Sequence, residues 1–348
     1  WREAWKYGLR AFRYCHHDMG HALTAINIAC SVLGWRTQLM DHLGGEELEI
    51  VLGLNKKSEE EIEVPNCLIA VTPQENIKNI KSRDFVAGFS DLKWLGNPNI
   101  LSHDHLDWHG ITEVSQATQK PYTEDLPNTG FKRATLPNLL QEDSFPIRKA
   151  IHQRRSAVAM DGKTRISSET FYQFMATTIP DACPLPFQTF PWEPQIHLGL
   201  FIHRVDGLSE GLYFLVRNKN HLSWTKPKDC PQDMDLFLLR EGDFQGIAAS
   251  VSCGQEIAGK GCFSLGMISP FENASLNYGA WMYPRLYWEC GAIGQMLYLQ
   301  AEVSGIRSTG IGCFFDDPVR EVFGIEGLSY QSLYHFTVGG PVEDTGLT

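Results

Sequence analysis

Three groups of residues in this chain have types and spacings suited to chemistry. Arg154-Arg155-Ser156 sets two guanidinium groups beside a hydroxyl, and such a fork of donors suits a phosphate or another oxygen-rich ligand. Thr309-Gly310-Ile311-Gly312-Cys313 carries two glycines one residue apart, which lets the backbone approach something flat and close. His17 and His21 stand four apart, and His103, Asp104, His105, Asp107 and His109 crowd into seven residues. On a helix the first pair would share one face, as zinc-binding histidines do.

Each group also has a plainer reading. An Arg-Arg-Ser just ahead of a helical segment is also what a solvated basic turn looks like, and glycines of this kind are often only turns. The zinc-protease pattern needs Glu after its first His, whereas Asp18 stands there with a shorter reach. No Gly-x-Ser-x-Gly, Walker-type loop or strand-borne GxGxxG is present. Cys253 and Cys262 flank GQEIAGKG with no basic residue tied to them, so they read as buried or neutral thiols.

The glycine pair must be carried by the stretch from Tyr278 to Ile325. Ala292, Ile293, Met296, Leu297 and Val303 recur at helical spacing, so the pattern predicts a long helix with one buried face. Gly305 stands where such a helix takes a left-handed residue, and the glycine-rich turn follows. Residues 7–54 repeat this stretch at a constant offset of 271, Tyr7 lying on Tyr278, with eight of 48 positions identical and four of those glycine. In that register His17 and His21 fall opposite Trp288 and Ala292, which marks them as part of a packing helix. Leu39-Met40-Asp41 falls opposite Gly310-Ile311-Gly312, so only the second copy keeps the glycines.

The chain therefore divides into three parts. Residues 1–73 form the rear half of a first domain, 74–145 a linker interrupted by Pro98, Pro121, Pro127 and Pro137, and 146–348 a complete second domain. Within the second domain Ser167 predicts a helix cap ahead of Phe171, Phe174 and Met175. His197–Val205, Gly211–Val216 and Phe263–Ile268 read as strands, while 218–250 shows helix and loop signals only. Strands before and after long helices predict an α+β fold.

Composition narrows the function classes. The chain has 348 residues, 43% of them hydrophobic, and a formal net charge of −11. Without a long basic run, that charge disfavours nucleic acid and anionic membrane surfaces as partners. No apolar run reaches the ~18 residues of a membrane span. Nine irregularly spaced cysteines do not make a disulfide framework and suggest a cytoplasmic protein. The chain starts at Trp1 already in a helical pattern, so a preceding native segment is expected.

In order along the chain come Arg154-Arg155-Ser156, GLY at 211–213, Glu289-x5-Gln295 with LYLQAEVSGI, GIGCF at 310–314, FGI at 323–325 and VGGP at 338–341. This ordered set resembles the FMN-dependent nitroreductase family, in particular its SagB-type dehydrogenase branch, and covers about 200 residues. The resemblance implies a mixed α+β sheet flanked by helices, with two tandem copies imitating a dimer inside one chain. It implies FMN held by Arg154, Arg155 and Ser156, and an isoalloxazine against Gly310, Ile311, Gly312 and Cys313. Gly312 takes the catalytic place, its N–H facing flavin N5, and NAD(P)H is a candidate electron donor for a small-molecule or peptide substrate. The chain departs from the family in three places. VEDTGLT at the C-terminus offers no Lys or Arg, the first copy's front half is missing, and Pro186-Phe187 stands where a flavin-facing serine is expected. Two alternatives stay open: a degenerate fold serving as a non-catalytic binding module, and a metal-dependent hydrolase using the histidines. Whether chains associate further is open as well.

Overall fold

A computed structural model of the chain describes residues 2–54, 63–73, 82–96, 99–102, 106, 108–123, 132–133, 147–221 and 234–343. The elements that position the site are α1 (Ala11–Val32), β1 (Arg36–Leu39), α2 (Gly45–Leu52) and β2 (Ile69–Thr72). Farther along come α3 (Ile147–Gln153), α4 (Ser168–Thr178), β3 (His197–Ile202), β4 (Gly211–Leu215) and β5 (Leu236–Glu241). They are followed by α5 (Gln245–Val251), β6 (Phe263–Ser269), α6 (Met282–Val303), β7 (Arg307–Ile311), α7 (Asp316–Val322) and β8 (Gln331–Gly339).

The expected α+β class holds. Six strands form one sheet in the order β7-β8-β6-β3-β4-β5, and every neighbouring pair in it is antiparallel. Among the described residues parallel pairing is confined to short contacts, Ile166–Ser167 beside Val205–Asp206 and a bridge from Ser156 to Ser308. β3 and β6 are buried along their whole length, as central strands covered on both faces must be. β5 corrects the reading of 218–250: Leu236–Glu241 is an edge strand whose last four residues are exposed, and its apolar run, LFLL at 236–239, gives way at once to Arg240 and Glu241.

α4 starts as its residues predict, with the Ser167 hydroxyl accepting the Thr170 N–H at 3.2 Å and Phe171, Phe174 and Met175 buried. α6 departs from expectation more deeply. Nineteen of its 22 residues are buried, so it is a core helix enclosed on nearly every side rather than one with a single buried face. The sheet lies on one side and α1 on the other. Pro284 sits in its first turn, where the missing N–H breaks no helical bond.

α1 and α6 meet backbone to backbone. A Cβ built on Gly20 would stand 2.0 Å from the Trp288 carbonyl oxygen, and one on Gly291 would stand 2.1 Å from that of His17. The contact is reciprocal at the offset of 271, because Gly20 corresponds to Gly291 and His17 to Trp288. Other features repeat at the same offset. Both helices run 22 residues, β1 and β7 both start at an arginine, and each pairs with an antiparallel neighbour. Each helix also ends the same way. Trp35 N–H donates to Cys30 O at 2.7 Å and Gly34 N–H to Ser31 O at 3.0 Å; Ile306 N–H donates to Ala301 O at 3.0 Å and Gly305 N–H to Glu302 O at 3.2 Å. This is the Schellman arrangement, which needs the left-handed φ of 71° at Gly34 and 70° at Gly305.

Two buried ion pairs anchor α6. Arg285 donates to Asp41 Oδ1 from Nε at 3.0 Å and from Nη2 at 2.9 Å, tying α6 to the segment after β1. The Glu289 carboxylate accepts Arg217 Nη1 at 2.5 Å and the backbone N–H groups of Gln195 and Ile196 at 2.9 and 3.3 Å. Removing one partner of such a pair leaves a charge uncompensated, typically at about 3–5 kcal/mol. Among the described residues no helix is long and apolar enough to cross a membrane.

The glycine contact yields a stability prediction. Gly291→Ala should push α1 and α6 apart and cost at least the ~1–3 kcal/mol of overpacking. Urea unfolding should show this loss, whereas Gly305→Asn, at an exposed left-handed position, should cost less than about 1 kcal/mol.

Candidate functional site

The fold brings together two segments that lie 152 positions apart. α3 carries the chain to Arg154, whose N–H donates to Ala150 O at 2.9 Å. Arg154-Arg155-Ser156 thus follows a helix, where the sequence suggested it would precede one. The chain then runs beside β7: Ser156 bridges Ser308, Ala157 N–H donates to Ser308 O at 3.1 Å, and the Thr309 hydroxyl donates to Ala157 O at 2.9 Å. Arg154 is half-buried, while Arg155 and Ser156 are exposed.

Tyr298 on α6 joins the two segments. Its hydroxyl lies 2.9 Å from Ser156 Oγ and accepts the Gly310 N–H at 3.0 Å, and the Arg154 guanidinium sits 5.0 Å from its ring centroid. Sequence reasoning missed this residue because a tyrosine within LYLQ on an apolar helix reads as core. Beside it the Glu302 carboxylate accepts the Arg155 backbone N–H at 3.3 Å and lies 3.8 Å from Arg307 Nε.

Gly310 and Ile311 end β7, and Gly312 and Cys313 follow it, so the expected turn is the end of a paired strand. The close approach expected at the glycines occurs, and tyrosines make it. A Cβ on Gly310 would lie 2.0 Å from the Tyr334 hydroxyl, and one on Gly312 would lie 2.2 Å from the Tyr14 ring. Tyr334 is stacked on His17 with centroids 3.9 Å apart. The exposed hydroxyl and guanidinium groups at Arg154–Ser156 therefore suit the phosphate and polyol end of a flavin mononucleotide. The ring end suits it only when the partly exposed Tyr14 leaves Gly312.

The other candidates serve packing. His17 Nε2 donates to Leu333 O at 2.9 Å, and His21 Nδ1 donates to Gln295 Oε1 at 3.0 Å. Both contacts cross from α1 to the second half of the chain, in keeping with a packing helix. No group of three or more His, Cys, Asp or Glu side chains among the described residues is placed to hold a metal ion. His103, Asp104, His105 and Asp107 lie outside the described residues, and His109 opens a helix that runs to Ala117. Asp41, opposite Gly312 in the repeat, is held by Arg285. Phe187 lies under the Arg217 guanidinium at 4.8 Å. Cys262 is buried, and burial pushes its thiol up to about 11.

No protein-family model and no curated protein matches the chain. Among solved structures, a protein from Anabaena variabilis described as a nitroreductase matches with a TM-score of 0.70 at 21% identity, over 98% of this chain and 67% of that one. A protein from Ralstonia eutropha described in the same way matches with a TM-score of 0.42 at 12% identity, over 57% of this chain and 85% of that one. The E. coli microcin synthetase McbBCD complex with truncated pro-MccB17 bound matches with a TM-score of 0.43 at 16% identity, over 78% and 85%. The first likeness shows that this chain has the nitroreductase fold, and that statement rests on it alone.

The buried histidines generate a pH prediction. Burial pulls His16 down to about 3, His21 to about 4, His197 to about 3, His203 to about 4 and His335 to about 3, and holds His17 well below 6.5. His16 Nδ1 accepts the Trp288 Nε1–H at 3.1 Å, a bond that only the unprotonated nitrogen can make. Below pH 6.5 the unfolded chain binds protons that the folded chain refuses, so stability falls as pH falls. Each histidine should contribute up to about 1.4 kcal/mol per pH unit between about 6.5 and 4. Urea midpoints from pH 5 to 8 should be flat above 7 and drop steeply below 6.5; a midpoint unchanged at pH 5 would contradict this.

Proposed function

We propose that this chain is an FMN-dependent oxidoreductase of the nitroreductase type, related to the SagB-type dehydrogenases. The observation that carries the reading is the alignment of Arg154–Ser156 along the strand of Gly310, two signals far apart in sequence that form one surface. Arg154 and Ser156 would hold the phosphate and ribityl chain by charge-assisted and hydroxyl hydrogen bonds, with Arg155 at their edge. The strand end at Gly310–Cys313 would lie along the ring, with the Gly312 backbone nearest. A bound flavin supplies the redox chemistry, accepting and passing on hydride equivalents. The chain's own residues bind and orient it, once the Tyr14 ring has moved away from Gly312. NAD(P)H is the proposed electron donor, and the substrate class is a small molecule or peptide.

The same proposal includes a tandem architecture. Residues 1–73 are the rear half of one copy, 146–348 a whole copy, and 74–145 the connection. The reciprocal Gly20–Gly291 contact and the paired Schellman motifs support an internal pseudo-dimer. One site is expected, since the first copy places Met40 and Asp41 in packing and an ion pair.

A second reading, a binding module without flavin, is favoured by the Tyr14 ring over Gly312. FMN titration followed by flavin fluorescence separates the two. Wild-type chain should bind FMN, Arg154→Ala should weaken binding about tenfold or more, and Tyr14→Ala should strengthen it. No uptake by either the wild type or Tyr14→Ala would sink the flavin reading in favour of the module.

A further inference from the structure

Cys253 and Cys313 were unconnected in sequence, yet their sulfurs lie 2.8 Å apart, about 0.8 Å beyond a covalent S–S bond. Both are partly exposed, whereas Cys30, Cys183, Cys262 and Cys290 are buried. Cys253 follows the end of α5 with φ at 57°, a left-handed conformation that costs a non-glycine residue energy unless its surroundings hold it there.

Those surroundings are specific, and they fix the two backbones independently of the sulfurs. Phe315 N–H donates to Val251 O at 2.9 Å. The Gln255 side-chain amide donates to Ser252 O at 2.8 Å and to Cys313 O at 3.0 Å, so one side chain clamps both cysteine segments. Ser252 Oγ lies 3.1 Å from His335 Nδ1, and Phe314 stacks on the same imidazole with centroids 4.3 Å apart. The neighbours of both cysteines thus lean on one β8 residue. Two thiols held this way meet at a high effective concentration, which favours an internal bridge over two separate external ones.

We propose that Cys253 and Cys313 are a reversible disulfide site that exchanges with low-molecular-weight disulfides of the glutathione class. The thiolate of one cysteine attacks a sulfur of the small disulfide, breaking its S–S bond and releasing one small thiolate. The thiolate of the second cysteine then attacks the protein sulfur of the mixed disulfide and releases the other. Both cysteine sulfurs are oxidised, the small disulfide is reduced to two thiols, and those thiols take up the two protons lost by the protein. Closure would tether the chain leaving Gly312 to the end of α5, and it does not depend on whether a flavin binds. Burial and the neighbouring Cys313 push the Cys253 thiol up to about 11, so exchange is slow near neutrality and belongs at equilibrium.

The test equilibrates the full chain with graded mixtures of reduced and oxidised glutathione, quenches with acid, alkylates and maps the peptides by mass spectrometry. A Cys253–Cys313 cross-link that leaves the chain two hydrogens lighter and reverses with dithiothreitol is expected. Gln255→Ala should require an oxidised-to-reduced ratio about fivefold higher for half closure, and Cys253→Ser or Cys313→Ser should abolish the bridge. Alkylation of both sulfurs in fully oxidised buffer, glutathione remaining on either one, or a bridge to any other cysteine overturns the proposal. The wild-type map decides this even where a variant fails to fold.

Discussion

The structure depends on how closely two helix backbones can approach. Gly20 and Gly291 let α1 and α6 pack with the carbonyl of each helix filling the space where the other's side chain would be. Everything at the candidate site is referred to that contact. α1 carries Tyr14 to Gly312 and His17 to Tyr334, while α6 carries Tyr298 to Ser156 and Gly310. A side chain at either glycine would separate both sets. Because interiors are close-packed, the displacement would not be absorbed locally.

α6 also shows how a core helix can carry buried charge. Arg285 and Glu289 lie one turn apart and face different partners, Asp41 after β1 and Arg217 after β4. Each pair is nearly or wholly removed from solvent, and the Glu289 carboxylate has two further backbone donors. Pairs of this kind contribute little net stability compared with well-packed apolar residues, but they penalise wrong arrangements heavily. They fix the rotation of α6 about its axis, and so the direction in which Tyr298 points.

Arg155 and Ser156 of the candidate site are exposed, whereas Gly312 is covered by the Tyr14 ring. That division follows from where the residues come from. Arg154, Arg155 and Ser156 lie on a surface segment between a helix and a bridge to β7, while Gly312 meets Tyr14 on α1.

Much of the architecture was legible in local pattern. Ser167 marked a helix start, Gly305 a helix end, and the apolar runs at 197–202 and 263–268 two central strands, because caps and burial write short-range signals. Gly34 and Gly305 were legible for the same reason, since both stand at left-handed helix ends where the backbone leaves little choice. Edge strand β5 escaped because its apolar run, LFLL at 236–239, is short and runs straight into Arg240 and Glu241, which face water. By itself, then, the sequence determined the fold class and the long central helix. The tertiary structure decided that Tyr298 joins Ser156 to Gly310, that α6 is buried nearly all round, that Tyr14 covers Gly312, and that Cys253 meets Cys313. Each of these is a contact between residues distant in the chain, set by packing rather than by any preference of the residues themselves.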